Sequence, residues 1–299
     1  MPEIRPFLWF NNQAEDAIAL YSACFPQSRL LHLNRYPDSP ADAPLHAFDG
    51  KVLNAEFDLA GRRFMALDGG NSFAFTPAIS CFVNLESEAA IDAAWAQLSE
   101  GANILMPLQA YPFSAKFGWL ADKFGLTWQL SLGAEATGIL PCLMFVGEQH
   151  GKAQEAMHFY TSLFADSAIE HLVTYGEGEE AEGVVGTLKY GHFRLAGQAF
   201  MALDSAEAHA FGFSEAFSLY VECADQAEVD RLWALLSAVP DAEQCGWLKD
   251  KYGVSWQIIP RALGELMSDP DPAKVQRVMS AMMPMKKLDI ALLHAAYAG

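Results

Sequence analysis

Apolar and polar positions along the chain form short segments, most of which have the length of a strand. The first covers residues 4–10, and a helical pattern over residues 14–24 follows it. In that pattern Ala17, Tyr21 and Phe25 recur every four positions, so they lie on one face of a helix. Strand patterns then cover residues 29–36, 51–60 and 64–67. This stretch therefore predicts a βαβββ unit.

The same order of elements begins again at residue 79. A strand over residues 79–85 precedes a helix over residues 88–98, whose Ile91, Trp95 and Leu98 form an apolar stripe. Further strands are predicted near residues 104–108, around Trp119 and over residues 127–132. The first half of the chain thus contains two βαβββ units.

The second half of the chain repeats the first. Residues 118–130 return as residues 246–258 with eight of thirteen positions identical, and residues 61–68 return as residues 197–204 with six of eight identical. Such duplication indicates one fold used twice. The second copy is ten residues shorter between its helix and residue 246, which predicts that it lacks the strand and turn of residues 104–113.

The repeat predicts two domains, residues 1–134 and 135–262, followed by a helical tail over residues 263–299. Asp225 and Glu228 form a capping box at the start of a helix in the second copy. In the tail, Asp271 and Pro272 have the residue types of a helix cap and a first helical position. Helices over residues 273–283 and 288–297 are predicted, either as a strap across the second domain or as a partner surface.

Composition limits the class of partner. A chain of 299 residues with 52% apolar and 19% charged residues is globular and long enough for two domains. Its net charge of −18 argues against nucleic acid and anionic membranes as partners, because both would repel it. Five cysteines without a C-x-x-C pair, and an N-terminus unlike a signal peptide, favour free thiols and a cytoplasmic protein.

The repeated pattern resembles a known superfamily. Paired βαβββ units that end in Asp-x-Phe-Gly-x-x-Trp-Gln are similar to the vicinal oxygen chelate (glyoxalase/bleomycin-resistance) superfamily. The segments Phe-Met-Ala-Leu-Asp, residues 245–260 and Lys286-Lys-Leu-Asp-Ile resemble its PhnB-like, 3-demethylubiquinone-9 3-methyltransferase-like branch. The resemblance implies an α+β fold of tandem glyoxalase-like domains, each a half-open mixed β-sheet barrel with flanking helices. It also implies an internal pseudo-dimer or a homodimer.

The resemblance implies a divalent metal in many members, yet the matching positions offer few ligands. The usual last-strand glutamate falls on Gln129 and Gln257, and the usual histidine falls near Ile79 and Phe217. On the first strands only Cys142 is a possible donor. Because metal sites of this kind need imidazole or oxygen donors, we predict no metal and no cofactor. A divalent metal bound by atypical ligands is the alternative.

Polar residues of the third strand are candidates for acid–base chemistry. Asn54 and Glu56 share one strand face, as do Tyr190 and His192 in the second copy. If these faces line a pocket, Glu56 and His192 are candidate catalytic residues for acid–base chemistry, and Asn54 and Tyr190 are candidate substrate contacts. The structural alternative is a solvated strand face.

Aromatic residues gather beside the same segments. Aromatic walls with a few polar groups are common in small-molecule sites, and also in cores. The predicted substrate-binding residues are Trp9, Asn54, Phe73, Phe75, Trp128, Gln129, Tyr190, Phe211, Trp256 and Gln257.

The methyltransferase label that the resemblance brings finds no support in the sequence. The glycine-rich segment of residues 175–183 is acidic and runs into another strand, whereas a cofactor loop would lead into a helix. We therefore predict small-molecule binding or metal-independent catalysis in aromatic-lined cups. The alternative is a metal-dependent lyase, isomerase or dioxygenase. In a further alternative, the shorter second copy is structural and only the first binds a ligand.

Overall fold

The computed structural model describes residues 3–36, 38, 46–133, 138–179 and 183–299. The predicted domain boundary at residues 134 and 135, and residues 180–182 of the acidic segment, lie outside the described residues. Two mixed β-sheets, helices between them and three further helices at the C-terminus make up the described chain. The predicted fold of paired glyoxalase-like half-open sheets with a helical tail is confirmed.

The strands follow the predicted order closely. They are β1 (Ile4–Phe10), β2 (Arg29–Arg35), β3 (Val52–Leu59), β4 (Arg62–Asp68), β5 (Ile79–Leu85), β6 (Asn103–Tyr111), β7 (Ser114–Ala121), β8 (Thr127–Leu132), β9 (Leu140–Phe145), β10 (Ala168–Thr174), β11 (Leu188–Leu195), β12 (Gln198–Asp204), β13 (Phe217–Cys223), β14 (Trp247–Lys249) and β15 (Ser255–Pro260). The helices are α1 (Ala14–Cys24), α2 (Glu88–Leu98), α3 (Ala153–Leu163), α4 (Gln226–Leu236), α5 (Arg261–Met267), α6 (Pro272–Met282) and α7 (Ile290–Ala298). None of these helices has the length and apolar character needed to cross a membrane.

Each sheet combines strands from both sequence repeats. Sheet A has the order β14-β15-β13-β1-β4-β3-β2, and sheet B has the order β10-β11-β12-β9-β5-β8-β7-β6. In sheet A, β1 pairs with β13 antiparallel, with Phe7 opposite Ser218. In sheet B, β5 pairs with β9 in the equivalent way, with Ser80 opposite Cys142. The first unit of each repeat therefore completes its sheet with the second unit of the other repeat.

This pairing bears on the predicted domains. The ranges 1–134 and 135–262 delimit the sequence repeats, but the hydrogen-bonded sheets cross the boundary between them. The internal pseudo-dimer that the resemblance implies is compatible with this crossing and stays a prediction. Neither repeat contains a whole sheet. The alternative that only one repeat binds a ligand therefore means that only one of the two sheets binds it.

The core lies on the sheet faces that α1 to α4 cover. Side chains of both sheets and all four helices form one apolar cluster, with Leu8, Phe64, Trp128 and Trp256 among its members. Along β13 every second residue belongs to this cluster, as do Ile4, Leu8 and Phe10 of β1, and the residues between point to the opposite face. The helices thus seal one face of each sheet and leave the other free for a site.

Two buried carboxylates explain why residues 118–130 and 246–258 are so similar. The Oδ1 atom of Asp250 accepts from the backbone N–H groups of Tyr252 and Val254. Its Oδ2 atom accepts from the hydroxyl of Tyr160 at 2.6 Å and from Nε1 of Trp256 at 2.8 Å. Asp122 has the same four bonds in the first repeat, with its own tyrosine and tryptophan. These motif residues hold a loop, a helix and a strand together.

The repeated Phe-Met-Ala-Leu-Asp segment has a similar structural role. Asp68 accepts from the first N–H of α1 at Ala14 and from the N–H of Val52. Asp204 accepts from the first N–H of α3 at Ala153 and from the N–H of Leu188. A carboxylate at a helix N-terminus satisfies free donors and complements the helix dipole. Each aspartate therefore fixes a helix and a strand to the end of its own strand.

The second repeat has lost a strand, as its shorter sequence predicts. Unit two contains β6 between α2 and β7, whereas the chain between α4 and β14 forms only a 3-10 turn over Pro240–Ala242. The C-terminal tail covers the edge that results. The N–H groups of Cys245 and Gly246 donate to the carbonyls of Met285 and Lys286, each at 2.8 Å. The strap interpretation of the tail agrees with these bonds.

The predicted helix caps are present. Asp225 accepts from the N–H of Glu228, and Asp271 accepts from the N–H of Ala273, with Pro272 at the start of α6. Helix α5 follows β15 directly and was absent from the sequence prediction. All five cysteines are free thiols, as predicted.

Candidate functional site

The face of sheet A that points away from the helices is a curved surface, here called cup A. Its central side chains are Arg5, Phe7, Trp9, Asn54, Glu56, Arg63, Met65, Ser218, Tyr220, Trp247 and Gln257. Strands β1 and β14 are three positions apart, which in a flat sheet is roughly 14 Å. Yet the rings of Phe7 and Trp247 lie 5.8 Å apart, so the sheet curls and brings its edge strand towards its centre.

Aromatic rings from both repeats form the wall of cup A. The ring of Phe7 stacks on Tyr220 at 6.3 Å, and Trp9 meets Trp247 edge-on at 6.1 Å. Trp9 also contacts Phe73 at 5.0 Å and donates from Nε1 to the carbonyl of Gly70 at 2.9 Å. These contacts fix the rings in place, which reduces the entropy that binding a planar ligand would cost.

The space for Trp9 depends on the glycine that follows β4. A Cβ atom at Gly69 would lie 2.1 Å from the indole of Trp9, which is far inside van der Waals contact. Only glycine therefore allows this position of the ring, and the Gly69-Gly70 pair is a sequence signal for the aromatic wall.

A network of ion pairs lines the other part of cup A. Glu56 lies 3.3 Å from Nη1 of Arg5 and 3.3 Å from Nη1 of Arg63. Arg63 also bonds Asp58 at 3.0 Å, and this hydrogen bond raises the pKa of Arg63. The two ion pairs hold the Glu56 carboxylate in place on the cup surface, where it can orient a ligand.

The corresponding face of sheet B, here called cup B, has a different floor. Its central side chains are Ser80, Phe82, Trp119, Gln129, Leu140, Cys142, Met144, Tyr190, His192 and Met201. Leu140, Cys142 and Met201 form a buried apolar cluster of their own. Burial raises the pKa of the Cys142 thiol to about 12, so this group is protonated at neutral pH. It therefore lacks the thiolate that a nucleophile or metal ligand needs.

Equivalent positions of the two cups carry different chemistry. Arg5 of cup A corresponds to Leu140 of cup B, and Phe7 corresponds to Cys142. On the third strands, Glu56 corresponds to His192. Cup A is therefore aromatic and ion-paired, whereas cup B is apolar at its floor. One chain carries two unequal sites on one scaffold.

Histidines and a tyrosine lie along one side of cup B. The ring centroids of His171 and His192 are 6.4 Å apart, and Tyr190 lies 6.3 Å from His192. Burial, and then the nearby His171, lower the pKa of His192. A neutral imidazole can accept a proton, so His192 is suited to general base chemistry.

The two candidate catalytic residues lie in different cups. Glu56 belongs to cup A and His192 to cup B, because their strands lie in different sheets. Each stays a candidate within its own cup.

The predicted tryptophan contacts need correction. Trp128 and Trp256 are 0% exposed and lie in the core, on the sheet face opposite Gln129 and Gln257. Their indole N–H groups already bond Asp122 and Asp250. Neighbouring residues of a strand point to opposite faces, so only the glutamines line the cups. The two indoles have no surface with which to contact a ligand.

The remaining predicted contacts occupy varied positions. Asn54 lies in cup A and accepts from the amide of Asn34. Phe73 borders the cup against Trp9, but Phe75 packs on Phe10 at the edge of the core. Phe211 lies against His209 on a loop, at 4.7 Å.

Sequence reasoning did not select Arg5, Tyr220 and Trp247 as site residues. The signal for Arg5 is its alternation with Phe7 and Trp9 on one strand, which places all three on one face. Tyr220 and Trp247 come from the other repeat, and only the pairing of β1 with β13 brings them into cup A.

Metal ligation is poorly supported by the donors that line the cups. The amide nitrogens of Gln129 and Gln257 donate to the hydroxyls of Ser80 and Ser218, at 2.7 and 2.9 Å. Within the described residues, no three His, Cys, Asp or Glu side chains are grouped so as to hold a metal ion. The cup residues therefore do not fit the metal that the fold resemblance implies, and no step is derived through one.

Comparisons with known proteins agree with this architecture. The family model described as 3-demethylubiquinone-9 3-methyltransferase matches residues 2–131 and again residues 137–259. No curated protein matches the chain.

Solved structures with similar folds fall into two groups by length. A putative 3-demethylubiquinone-9 3-methyltransferase, PhnB protein, from Bacillus cereus is 41% identical over 43% of this chain and 98% of its own, with a TM-score of 0.40. A variant of glyoxalase I from Zea mays is 10% identical over 85% of this chain and 92% of its own, with a TM-score of 0.52. The second likeness spans both repeats and concerns the fold alone.

Proposed function

The chain belongs to the 3-demethylubiquinone-9 3-methyltransferase family, a PhnB-like branch of the glyoxalase superfold, and we propose that it binds a small aromatic molecule in cup A. The observation that carries this proposal is the aromatic wall of Phe7, Trp9, Tyr220 and Trp247, fixed by mutual ring contacts. Offset and edge-on ring contacts with a planar ligand are each worth about 0.5–1.5 kcal/mol beyond burial.

Polar groups of cup A would set the orientation of such a ligand. Arg5 and Glu56 form an ion pair beside the aromatic wall, and Gln257 presents its amide on the same face. A ligand with one polar edge can exchange hydrogen bonds with these groups while its ring covers the wall. Small-molecule sites commonly combine an apolar wall with a few polar groups in this way.

Methyl transfer is not part of the proposal, because the family description is a label rather than an observed chemistry of this chain. The glycine-rich segment after β10 leads to β11, another strand of the same sheet. A glycine-rich cofactor loop of the Rossmann type would instead lead from the strand into a helix.

The proposal is tested with a panel of fluorinated aromatic fragments observed by ¹⁹F NMR on the whole protein. We expect several planar fragments to bind wild-type protein, and Trp247→Ala to weaken them by roughly tenfold or more, since a buried aromatic contact contributes about 1–3 kcal/mol. The matched control is Trp119→Ala, which removes the equivalent indole from cup B.

The comparison of the two variants decides the site. Equal weakening by Trp119→Ala would contradict the assignment to cup A, and a panel without any binder would contradict the function itself. Trp9→Ala is a second probe of the same wall, with Met144→Ala as its counterpart in cup B.

A further inference from the structure

A groove of about 760 Å³ lies where the two sheets meet, and it borders cup A at Arg63 and cup B at Leu140 and His192. The turn between β3 and β4 forms one side, and the start of β9 with the turn between β11 and β12 forms the other. Its lining residues are Glu3, Asp58, Ala60, Gly61, Arg62, Arg63, Gly138, Ile139, Leu140, Glu170, His192, Gln198 and Ala199.

Arg62 reaches from the first turn into the space between the sheets. Ala60 and Gly61 have φ angles of 47° and 80°, which is the backbone of a tight hairpin turn, and Arg62 follows directly. Arg62 as a whole is only 9% exposed, and its Cζ atom lies 4.6 Å from the ring centre of Phe200. Its Nη1 atom donates to the carbonyls of Ala199 at 2.6 Å and Ile139 at 3.4 Å.

The other edge of this guanidinium has no partner among the described residues. Nε and Nη2 are both buried and make no hydrogen bond. These two atoms lie on the same edge of the planar group, so their N–H bonds point in parallel, as a bidentate carboxylate requires. A buried cation without a counter-charge is costly, and burial lowers the pKa of Arg62 to about 9.

The acidic residues of the groove are already paired with other arginines. Glu3 lies 2.7 Å from Arg5, and Asp58 bonds both Arg63 and Arg29. Glu170 lies 2.7 Å from Arg194. His192 also lines the groove, and burial lowers its pKa, so it is neutral near pH 7 and supplies no negative charge to Arg62. These carboxylates therefore do not neutralise Arg62.

The equivalent residue of the second repeat also has an unpartnered atom in this groove. Gln198 follows Ala196 and Gly197, whose φ angles of 48° and 77° repeat the first turn. Its Oε1 atom is buried and accepts no hydrogen bond among the described residues. Arg62 and Gln198, which line the groove from matching positions of the two repeats, thus carry buried donor and acceptor atoms without partners among the described residues.

We propose that this groove binds a small carboxylate that also carries a hydroxyl or amino donor. The carboxylate is held by Nε and Nη2 of Arg62, and the donor is accepted by Oε1 of Gln198. Buried polar groups are nearly always hydrogen-bonded in proteins, and a ligand of this class satisfies all three atoms at once. The site is independent of cup A, so the two proposals stand or fall separately.

The test titrates the whole protein with acetate, glycolate, phosphate and chloride at equal ionic strength and pH 7. Binding is followed by the melting temperature and by the ¹⁵N signal of the Arg62 Nε–H group. We expect both carboxylates to raise the melting temperature and shift that signal, and glycolate to bind several-fold more tightly than acetate because it offers a hydroxyl donor. Arg62→Met should weaken carboxylate binding by roughly tenfold or more.

Arg35→Met is the control, because its guanidinium is exposed, is bound to Glu15 and does not line the groove. It should leave carboxylate binding unchanged, and Gln198→Met should remove the preference for glycolate. An equal response to chloride, an unshifted Arg62 signal or tighter binding of phosphate would overturn the proposal. Because the NMR signal is measured on wild-type protein, the test holds even if Arg62→Met does not fold.

Discussion

Replacing Asp250 with alanine is expected to lower the free energy of unfolding by about 3–5 kcal/mol. The carboxylate accepts four hydrogen bonds, from Tyr160, Trp256 and two backbone N–H groups, and it is 1% exposed. Alanine leaves four buried donors without a partner, each of which costs about 1–3 kcal/mol before the structure relaxes. Urea denaturation of the purified variant measures the loss.

The first repeat supplies an internal check, since Asp122 makes the same four bonds. Asp122→Ala should cost a similar amount. Asp92→Ala is the control, because Asp92 is an exposed partner of Lys116 and such surface pairs contribute about 0–1 kcal/mol. If Asp122→Ala and Asp250→Ala have the same unfolding midpoint as Asp92→Ala, the role assigned to the two buried carboxylates is contradicted.

The same residue predicts how stability depends on pH. Burial raises the pKa of Asp250, although its hydrogen bonds act in the opposite direction. A folded-state pKa above the unfolded value means that the folded protein holds the proton more tightly. The contribution of Asp250 to the free energy of unfolding is therefore largest below the ordinary pKa of a carboxyl group. It falls as the pH rises towards the raised pKa and is constant at higher pH. Asp250→Asn should lack this slope when the two proteins are compared between pH 4 and 7.

Removal of residues 284–299 is expected to cost about 3–5 kcal/mol and to cause self-association. The cut deletes the carbonyls of Met285 and Lys286 that pair with Cys245 and Gly246, and it deletes Leu288, which is 0% exposed. Burial of one leucine contributes about 1.5–3 kcal/mol, and each hydrogen bond adds about 1 kcal/mol. An uncovered strand edge also offers a template for pairing with another chain.

Urea denaturation and size-exclusion chromatography measure these two effects. Leu288→Ala should reproduce part of the stability loss without association, because the backbone cover of the edge stays in place. Leu292→Ala, on an exposed position of α7, should change neither property. A truncated protein with the wild-type midpoint and elution volume would show that the tail is dispensable.

The units of this fold could be predicted from the sequence, but not the way they pair. Alternating and helical apolar patterns are local, so β1, α1 and their counterparts are visible in the residues themselves. The partner of β1 is β13, and paired residues such as Phe7 and Ser218 are far apart in the chain. Because the two repeats have similar edges, a partner within the same repeat and one in the other repeat are equally compatible with the pattern.

The limits of site prediction have a similar origin. Trp128 and Gln129 are neighbours on one strand, and the pattern alone did not decide which of them faces the helices. The Asp and Trp residues of the repeated motif are identical in both copies, so a comparison of the copies emphasises them. In the structure they are hydrogen-bonded to each other in the core. The residues that distinguish cup A, such as Arg5 and Glu56, differ between the repeats. Comparison of the copies therefore identifies the residues that stabilise the shared fold and misses the residues that distinguish the two cups.

The pairing of β1 with β13 sets the order of events during synthesis. Strand β1 leaves the ribosome about 210 residues before the strand that completes its sheet. At about 5–20 residues per second, its apolar edge waits roughly 10–40 s for its partner. The first half of the nascent chain has two such edges, on β1 and β5, and these can pair with each other or with a neighbouring chain. Sheet A therefore cannot be completed before β13 to β15 have been synthesised, well after the first half of the chain.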